Sequence, residues 1–351
     1  MRPADDDHAL LTRNGLIHSR CFARVGLIGN PSDGFFGKTI AVTVHNWCAE
    51  VTLWESPELI IEPNQSHDPY IFESLRDLHT KATREGYYGG VRLLYAACKR
   101  FYEECLRHNL MLPARNFTLR YNTTIPRGVG LAGSSAIITA TVRALMAFYG
   151  VPEEVFGKAN LPNLILAVET RELGLTAGLQ DRVIQVYGGA VFMDFDRERM
   201  ARDGHGLYLP MDIDLLPPMY IAMVSDPSDS SGIHSPVRVR WERGDPEVHA
   251  AMAEFARLAE ACRGALEARE TDRVAELMNA NFDLRRSLYG DEALGLANIR
   301  MVELARSVGA SAKFSGSGGA IVGIYEDERQ FMDLSGLLTA HGYQVFRAKV
   351  R

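Results

Sequence analysis

One glycine-rich segment, Pro126-Arg-Gly-Val-Gly-Leu-Ala-Gly-Ser-Ser-Ala136, constrains this chain more than any other. Glycines 128, 130 and 133 permit positive φ and close backbone approach. The following stretch, Ala136–Tyr149, has the composition and period of a helix. Such a helix points its free N–H groups and the positive end of its dipole back at the turn, a geometry that cradles a phosphate chain. Ser134 and Ser135 add hydroxyls at the helix start. A glycine turn with a serine N-cap has the same letters, so spacing alone leaves both readings open. The segment is not a Walker loop, because GxxxxGK[ST] is absent. A dinucleotide fold would need an acidic residue about 20 positions on, at the end of a second strand. Residues 136–156 read instead as one helix and its turn.

The chain has 351 residues, which suits two domains better than one core. Its net charge is -6 and no basic stripe runs along it, which argues against a nucleic-acid partner. A polyanion would need local compensation from backbone amides, a metal or a few cations. The five cysteines are odd in number and lack CxxC spacing, pointing to reduced thiols in a cytoplasm. The histidines show no metal-ligand spacing. The N-terminal residues are polar and acidic, without the apolar core of a signal peptide. No apolar run approaches the roughly 20 residues needed to span a bilayer, so no membrane role is expected.

Along the chain, residues 1–18 read as a frayed tail. Strands are predicted at Phe22–Leu27, Thr39–Val44, Val51–Trp54 and Asn116–Tyr121, and helices at Tyr70–Glu85, Val91–Asn109, Leu161–Leu173 and Gln180–Tyr187. Buried strands follow at Ala190–Phe195 and Met219–Ser225. Polar, proline-punctuated residues near 200–215 suggest a boundary, giving domains 19–210 and 211–351. The second half reads as helices at Pro246–Ala268, Thr271–Leu288, Leu294–Ser307 and Arg329–His341. Its strands are placed at Ala312–Phe314, Ala320–Tyr325 and Tyr343–Lys349. This order is α+β rather than a βαβ repeat.

Two other segments stand out. Ala23-Arg-Val-Gly-Leu-Ile-Gly-Asn-Pro-Ser-Asp33 is a strand feeding a turn, and Lys313-Phe-Ser-Gly-Ser-Gly-Gly-Ala320 is a glycine loop between strands. Each alone is ordinary. Together with 126–136, and in this order, they resemble the three motifs of the galactokinase, homoserine kinase, mevalonate kinase and phosphomevalonate kinase (GHMP) superfamily. The phosphate loop of that superfamily runs P-x-x-x-G-L-x-S-S-A; this chain has one extra residue between Leu131 and the serine pair. In the first motif Arg24 falls on the basic position, and Asn30-Pro31 replace a glutamate-histidine pair. The third motif is one residue shorter than usual.

The resemblance implies a two-domain α+β fold with an interdomain active-site cleft, ATP and Mg²⁺ as cofactors, and transfer of a phosphoryl group to a small alcohol. ATP would be held by Pro126, Gly128, Gly130, Leu131, Ala132, Gly133, Ser134, Ser135 and Ala136. Glu169 and Ser135 would hold Mg²⁺, with Glu172 as the competing carboxylate. Asp181 would accept the proton of the attacking hydroxyl, with Arg24 beside it. Asn30, Asp33, Asn281, Arg285, Gly316, Ser317 and Gly318 would border the substrate.

The segments EGYYGGVRLL, NPSD, TAGLQDRVIQVYGG, SDSSGIHSPVRVRW and LMNANFDLRRSLYGDE further resemble the glucuronokinase branch. That implies a sugar-acid 1-kinase acting on the anomeric hydroxyl of D-glucuronate. A substrate carboxylate suits a two-pronged guanidinium. Arg285 shares a helix face with Asn281; Arg286 and Arg127 are alternatives. Tyr87 and Tyr88 read either as stacking on a sugar or the adenine or, as is commoner for aromatics beside glycine, as core or turn packing. Galactose, a heptose or a mevalonate-like acid remain open as acceptors, as does a non-catalytic sensor on the same fold. The expected partner is a small sugar or sugar acid, and the expected assembly a monomer or homodimer.

Overall fold

The computed structural model describes residues 10–69, 71–85, 89–225 and 237–351. Tyr87, Tyr88 and positions 226–236 lie outside them. Two sheets organise the described residues. The first holds β1 (Leu10–Arg13), β2 (Leu16–Ile28), β3 (Lys38–Glu55), β4 (Ile60–Glu62), β5 (Phe117–Thr123), β6 (Ala190–Asp194) and β7 (Leu207–Met211). Its order is β1-β2-β3-β5-β4, with β6 on the first part of β3 and β7 beyond β6. Only β4 and β5 run parallel.

The stretches 39–44 and 51–54, read as two strands, are one strand of 18 residues. Between them the register with β2 shifts, from Ala23 opposite Val44 to Phe22 opposite Cys48. Residues passed over in this way bend a strand. The bend lets β3 pair with β6 on one side of it and with β5 on the other. A hairpin of β1 and β2 also occupies positions 10–18, where a tail was expected.

The second sheet has β8 (Met219–Val224), β9 (Lys313–Phe314), β10 (Ala320–Ile324) and β11 (Tyr343–Arg347), in the order β11-β8-β10-β9 and antiparallel throughout. Every residue of β8 and β10 is buried, which explains their unbroken apolar sequences. Between the sheets runs Asp212–Pro218. The polar region expected to part the domains carries the last helix and strand of the first sheet as well.

Helices α1 (Leu75–Glu85), α2 (Val91–Arg107), α3 (Gly133–Tyr149), α4 (Glu153–Phe156), α5 (Leu161–Ala167), α6 (Gln180–Tyr187) and α7 (Arg197–Asp203) accompany the first sheet. The second half carries α8 (Val237–Glu242), α9 (Pro246–Glu267), α10 (Thr271–Tyr289), α11 (Asp291–Leu294), α12 (Leu296–Ser307) and α13 (Glu328–Ala340). The largely apolar α3 is buried on almost all sides against β2 and β3. It stops at Gly150, whose left-handed backbone donates its N–H back to Met146. At the start of α9, Asp245 caps the amides of Glu247 and Val248, with Pro246 in the first turn. Both α9 and α10 pack against strands of the first sheet, so the second half closes over β2, the strand that carries Arg24.

Candidate active site

The glycine-rich turn has φ of +76° at Gly128 and +71° at Gly130, and Ala132 is also left-handed at +64°. A non-glycine residue there is uncommon and needs support. The Ala132 carbonyl supplies it, accepting from Ala136 N (3.1 Å), Ser135 Oγ (3.1 Å) and Gln185 Nε2 (2.9 Å). The helix begins at Gly133, three residues ahead of the predicted Ala136. Gly133, Ser134 and Ser135 are therefore its first turn, where backbone N–H groups have no intrahelical acceptor.

The two glycine loops pack on each other. A Cβ on Gly130 would lie 2.9 Å from the Gly318 oxygen and 3.0 Å from the Ser317 nitrogen. One on Gly316 would run into the Gly130 carbonyl. The glycines are required here by close loop-to-loop approach, beyond any contact with phosphate. Arg24 ties the assembly together. Its Nε donates to Asp181 Oδ1 at 2.7 Å, and its Nη1 donates to the carbonyls of Gly130 (2.7 Å) and Ser315 (3.4 Å). Its side chain is only 5% exposed and that of Asp181 21%. A single guanidinium thus joins all three motifs to the Asp181 carboxylate.

Lys313 makes a second clasp. Its buried Nζ donates to Gly26 O (2.6 Å), Asn30 Oδ1 (2.7 Å) and Phe314 O (2.7 Å). Burial, and then the cations Arg285 and Arg24, hold its pKa well below the usual lysine range.

Glu169 lies in a π-helical turn, Val168–Glu172, that continues α5. Glu169 Oε1 accepts from Ser134 Oγ at 2.8 Å, and Oε2 forms an ion pair with Arg182 without hydrogen-bond geometry. The serine that meets Glu169 here is Ser134, not Ser135, which was expected to share a metal with it. The Ser135 hydroxyl is buried and turned back to the Ala132 carbonyl, because Ser135 faces into the fold. Glu172 pairs with Lys99 and Arg100 of α2 and not with the loop. Arg182 itself donates to Gly178 O (2.9 Å) and to Asp181 Oδ2 (3.4 Å).

Asp33 sits on the other side of Asp181. It is partly open to solvent yet closely surrounded by protein. It accepts from Gln180 N at 3.4 Å, in a space that a Cβ on Gly178 would fill. Burial, followed by the negative charge of Asp181, pushes its carboxyl up to about 6. Asn30 and Asn281, expected to face substrate, are spent inside the protein. Asn281 Oδ1 accepts from Gly29 N at 2.6 Å and its Nδ2 donates to Asn30 O at 3.3 Å, while Asn30 Oδ1 serves Lys313. They hold the turn that carries Asp33.

Arg285 is buried, donates to Gly316 O at 2.8 Å and Ser317 O at 3.4 Å, and lies over the rings of Phe314 and Tyr289. Its Nε has no hydrogen-bond partner, and Asp33 is within electrostatic reach. Arg286 points away, paired with Asp291 and Glu303. Arg127 donates to His67 O at 3.0 Å.

Among the described residues no cluster of three or more metal-ligating side chains exists. Mg²⁺ uses one or two carboxylates and the substrate's phosphates. Glu169, a buried carboxylate with the Ser134 hydroxyl beside one oxygen, is a fitting donor. A charged surface hollow of about 510 Å³, lined by Arg269, Glu270, Thr271, Asp272, Arg273 and Glu276, shares no residue with this site. Sequence reasoning missed Ser134 as the partner of Glu169, the clasp by Lys313, and Arg182. One signal pointed to the last: a basic residue in the first turn of a helix opposes the dipole and needs a local reason.

Residues 92–189 match the family model "GHMP kinases N terminal domain". The chain is 51% identical to a probable glucuronokinase 2 of Arabidopsis thaliana over 310 residues, covering 88% of this chain and 84% of that one. It is also 51% identical to glucuronokinase 1 of Arabidopsis thaliana, over 87% of this chain and 84% of the relative. In fold it matches the Methanococcus jannaschii mevalonate kinase with a TM-score of 0.68 at 16% identity, over 97% of this chain and 100% of that one.

Proposed function

The chain belongs to the glucuronokinase family of GHMP kinases, and on that premise we propose that this ATP-dependent sugar-acid kinase phosphorylates the anomeric hydroxyl of D-glucuronate. The anomeric oxygen forms a bond to the γ-phosphorus while the bond from that phosphorus to the β,γ-bridging oxygen breaks. The hydroxyl proton passes to the Asp181 carboxylate, and ADP leaves with the bonding electrons. The products are glucuronate 1-phosphate and ADP.

Positioning and charge stabilisation do most of the work in phosphoryl transfer. The 126–136 turn and the first-turn amides of α3 form the seat for the phosphates. When bound, Mg²⁺ neutralises and orients the β- and γ-phosphates, and Glu169 beside Ser134 is the group that would hold it. Arg24 holds Asp181 in place and fixes it to the turn at Gly130. Asp33 accepts hydrogen bonds from sugar hydroxyls, and Arg285 meets the sugar carboxylate from beside the Gly316–Gly318 loop. The separation into two sheets supports the expected two-domain arrangement. All five cysteines are free thiols, which supports a reducing, cytoplasmic setting. No helix among the described residues is long and apolar enough to cross a membrane.

The observation that carries this reading is the Arg24 bridge between Asp181 and the Gly130 carbonyl, which puts a proton acceptor beside the nucleotide seat. The test is turnover of ATP by purified protein with D-glucuronate, D-galactose, a heptose phosphate and mevalonate. The ³¹P spectrum of the product identifies an anomeric phosphate. Turnover of galactose or mevalonate with none of glucuronate removes the proposed substrate.

A further inference from the structure

Asp181, Glu169 and Arg24 leave one charged group of the site without a task. Arg182 follows the proposed base in sequence, and its side chain is 4% exposed. It touches both carboxylates that bracket the reaction: Glu169 through Nη2 and Asp181 Oδ2 through Nη1 at 3.4 Å. Glu169 marks the end of the site that faces the nucleotide loop, through Ser134 at the start of α3. Asp181 marks the acceptor end. Arg182 lies between these two ends, in contact with both carboxylates.

The hydrogen bonding of Arg182 is incomplete. Its Nε is buried without a hydrogen-bond partner, although the guanidinium is in ionic contact with Glu169. A cation built in only for stability would be expected to satisfy this atom, since a buried charge left short of hydrogen bonds is costly. The oxygen of Glu169 that faces Arg182 is also the one not engaged by Ser134. A cation held by that carboxylate would compete with Arg182 for it, and a guanidinium released from Glu169 would suit a phosphoryl group.

We propose that Arg182 is a catalytic residue that neutralises the charge on the transferred phosphoryl group, and that without nucleotide it is parked on Glu169. This rests on the kinase reading above but not on the identity of the acceptor. A planar guanidinium suits the role because its N–H fork matches phosphoryl oxygens, which a lysine meets only as a point charge.

The test uses the full chain, the acceptor it turns over fastest, and the variants Arg182→Lys and Arg182→Gln. One donor aimed at developing charge is worth roughly 100- to 1,000-fold in kcat. Arg182→Gln should lower kcat by that factor. The Kd of Mg·ADP, measured by calorimetry, should stay within about threefold. Affinity for Mg·ADP with fluoroaluminate, which mimics the phosphoryl group in transit, should fall in step with kcat. Arg182→Lys keeps Glu169 paired and guards against misfolding. It should still lose roughly 10-fold or more in kcat and in analogue affinity, with Mg·ADP binding unchanged. A kcat within about threefold of the parent in both variants overturns the proposal. So does a loss of Mg·ADP affinity as large as the loss of analogue affinity, which would make Arg182 a structural counter-ion to Glu169. Failure of the glucuronate reading would show separately, as turnover of a different acceptor.

Discussion

Replacing Asp181 with asparagine probes the base while nearly preserving its shape. The wild-type carboxylate accepts from Arg24 Nε at 2.7 Å and from Arg182 Nη1 at 3.4 Å. An amide oxygen can still accept the first of these, so Arg24 keeps a partner there and at the Gly130 carbonyl, also 2.7 Å away. The change exchanges one charge-assisted hydrogen bond for a charged-to-neutral one. Bonds to charged groups contribute about 1.5–3 kcal/mol against about 1 for neutral pairs. A stability loss of about 1–2 kcal/mol is therefore expected, or a few degrees in the melting temperature at about 2–4 °C per kcal/mol. Catalysis should suffer far more, because an asparagine cannot take the proton. Loss of a general base costs roughly 100- to 10,000-fold. The assay is ADP release at saturating ATP and glucuronate, alongside calorimetric titration with Mg·ADP and a thermal melt. Nucleotide binding should remain within about threefold of the parent. A kcat within threefold of wild type, in folded protein, would refute the assignment of Asp181. Loss of nucleotide affinity as large as the loss in kcat would refute the separation of base from nucleotide seat.

Further outcomes follow from the same geometry. Ser134→Ala removes the hydroxyl on Glu169 and should raise the Mg²⁺ concentration needed for half-maximal rate, whereas Ser135→Ala should cost about 1 kcal/mol of stability and leave the Mg²⁺ dependence alone; the reverse pattern would restore Ser135 as the metal-side serine. Asp33 has a native value of about 6 against an ordinary 3.8, so it loses its accepting carboxylate as pH falls through about 6. The kcat/KM for the sugar should rise with pH through that value, and Asp33→Asn should abolish that limb. Stability should move the opposite way, falling as pH rises from about 4 to about 6, because the folded protein holds this proton more tightly than the unfolded chain. Arg285→Lys should raise the KM for glucuronate by roughly 10-fold or more with little change in the KM for ATP, through loss of one prong at about 1.5–3 kcal/mol. Arg286→Gln, on the exposed face, should leave both within about twofold; equal effects of the two changes would refute the placement of the sugar carboxylate.

Much of the framework was legible in the chain because its causes are local. The glycine-rich turn and the apolar helix after it, the buried runs at 219–224 and 320–324, and the span of α6 all follow from neighbours a few positions apart. Where prediction failed, a distant partner had decided. The long bent β3 was split in two because its middle loses the alternation that a strand shows when it has the same neighbours throughout. Strand β7 was read as linker because an edge strand needs only β6 to exist.

Residue types alone marked a glycine-rich turn followed by an apolar helix; reading that turn as a phosphate seat, and Glu169, Asp181 and Arg24 as groups for phosphoryl transfer, came from the resemblance to GHMP kinases. Tertiary structure alone decided which of two serines meets Glu169, that Asn30 and Asn281 are spent on backbone, and that Arg182 lies between Glu169 and Asp181. The reason is one of range. A turn or a helix start is set by φ and ψ preferences and by hydrogen bonds to near neighbours. The direction a side chain finally takes depends on groups brought beside it from far along the chain, as Asp181 is brought to Arg24 across 157 positions.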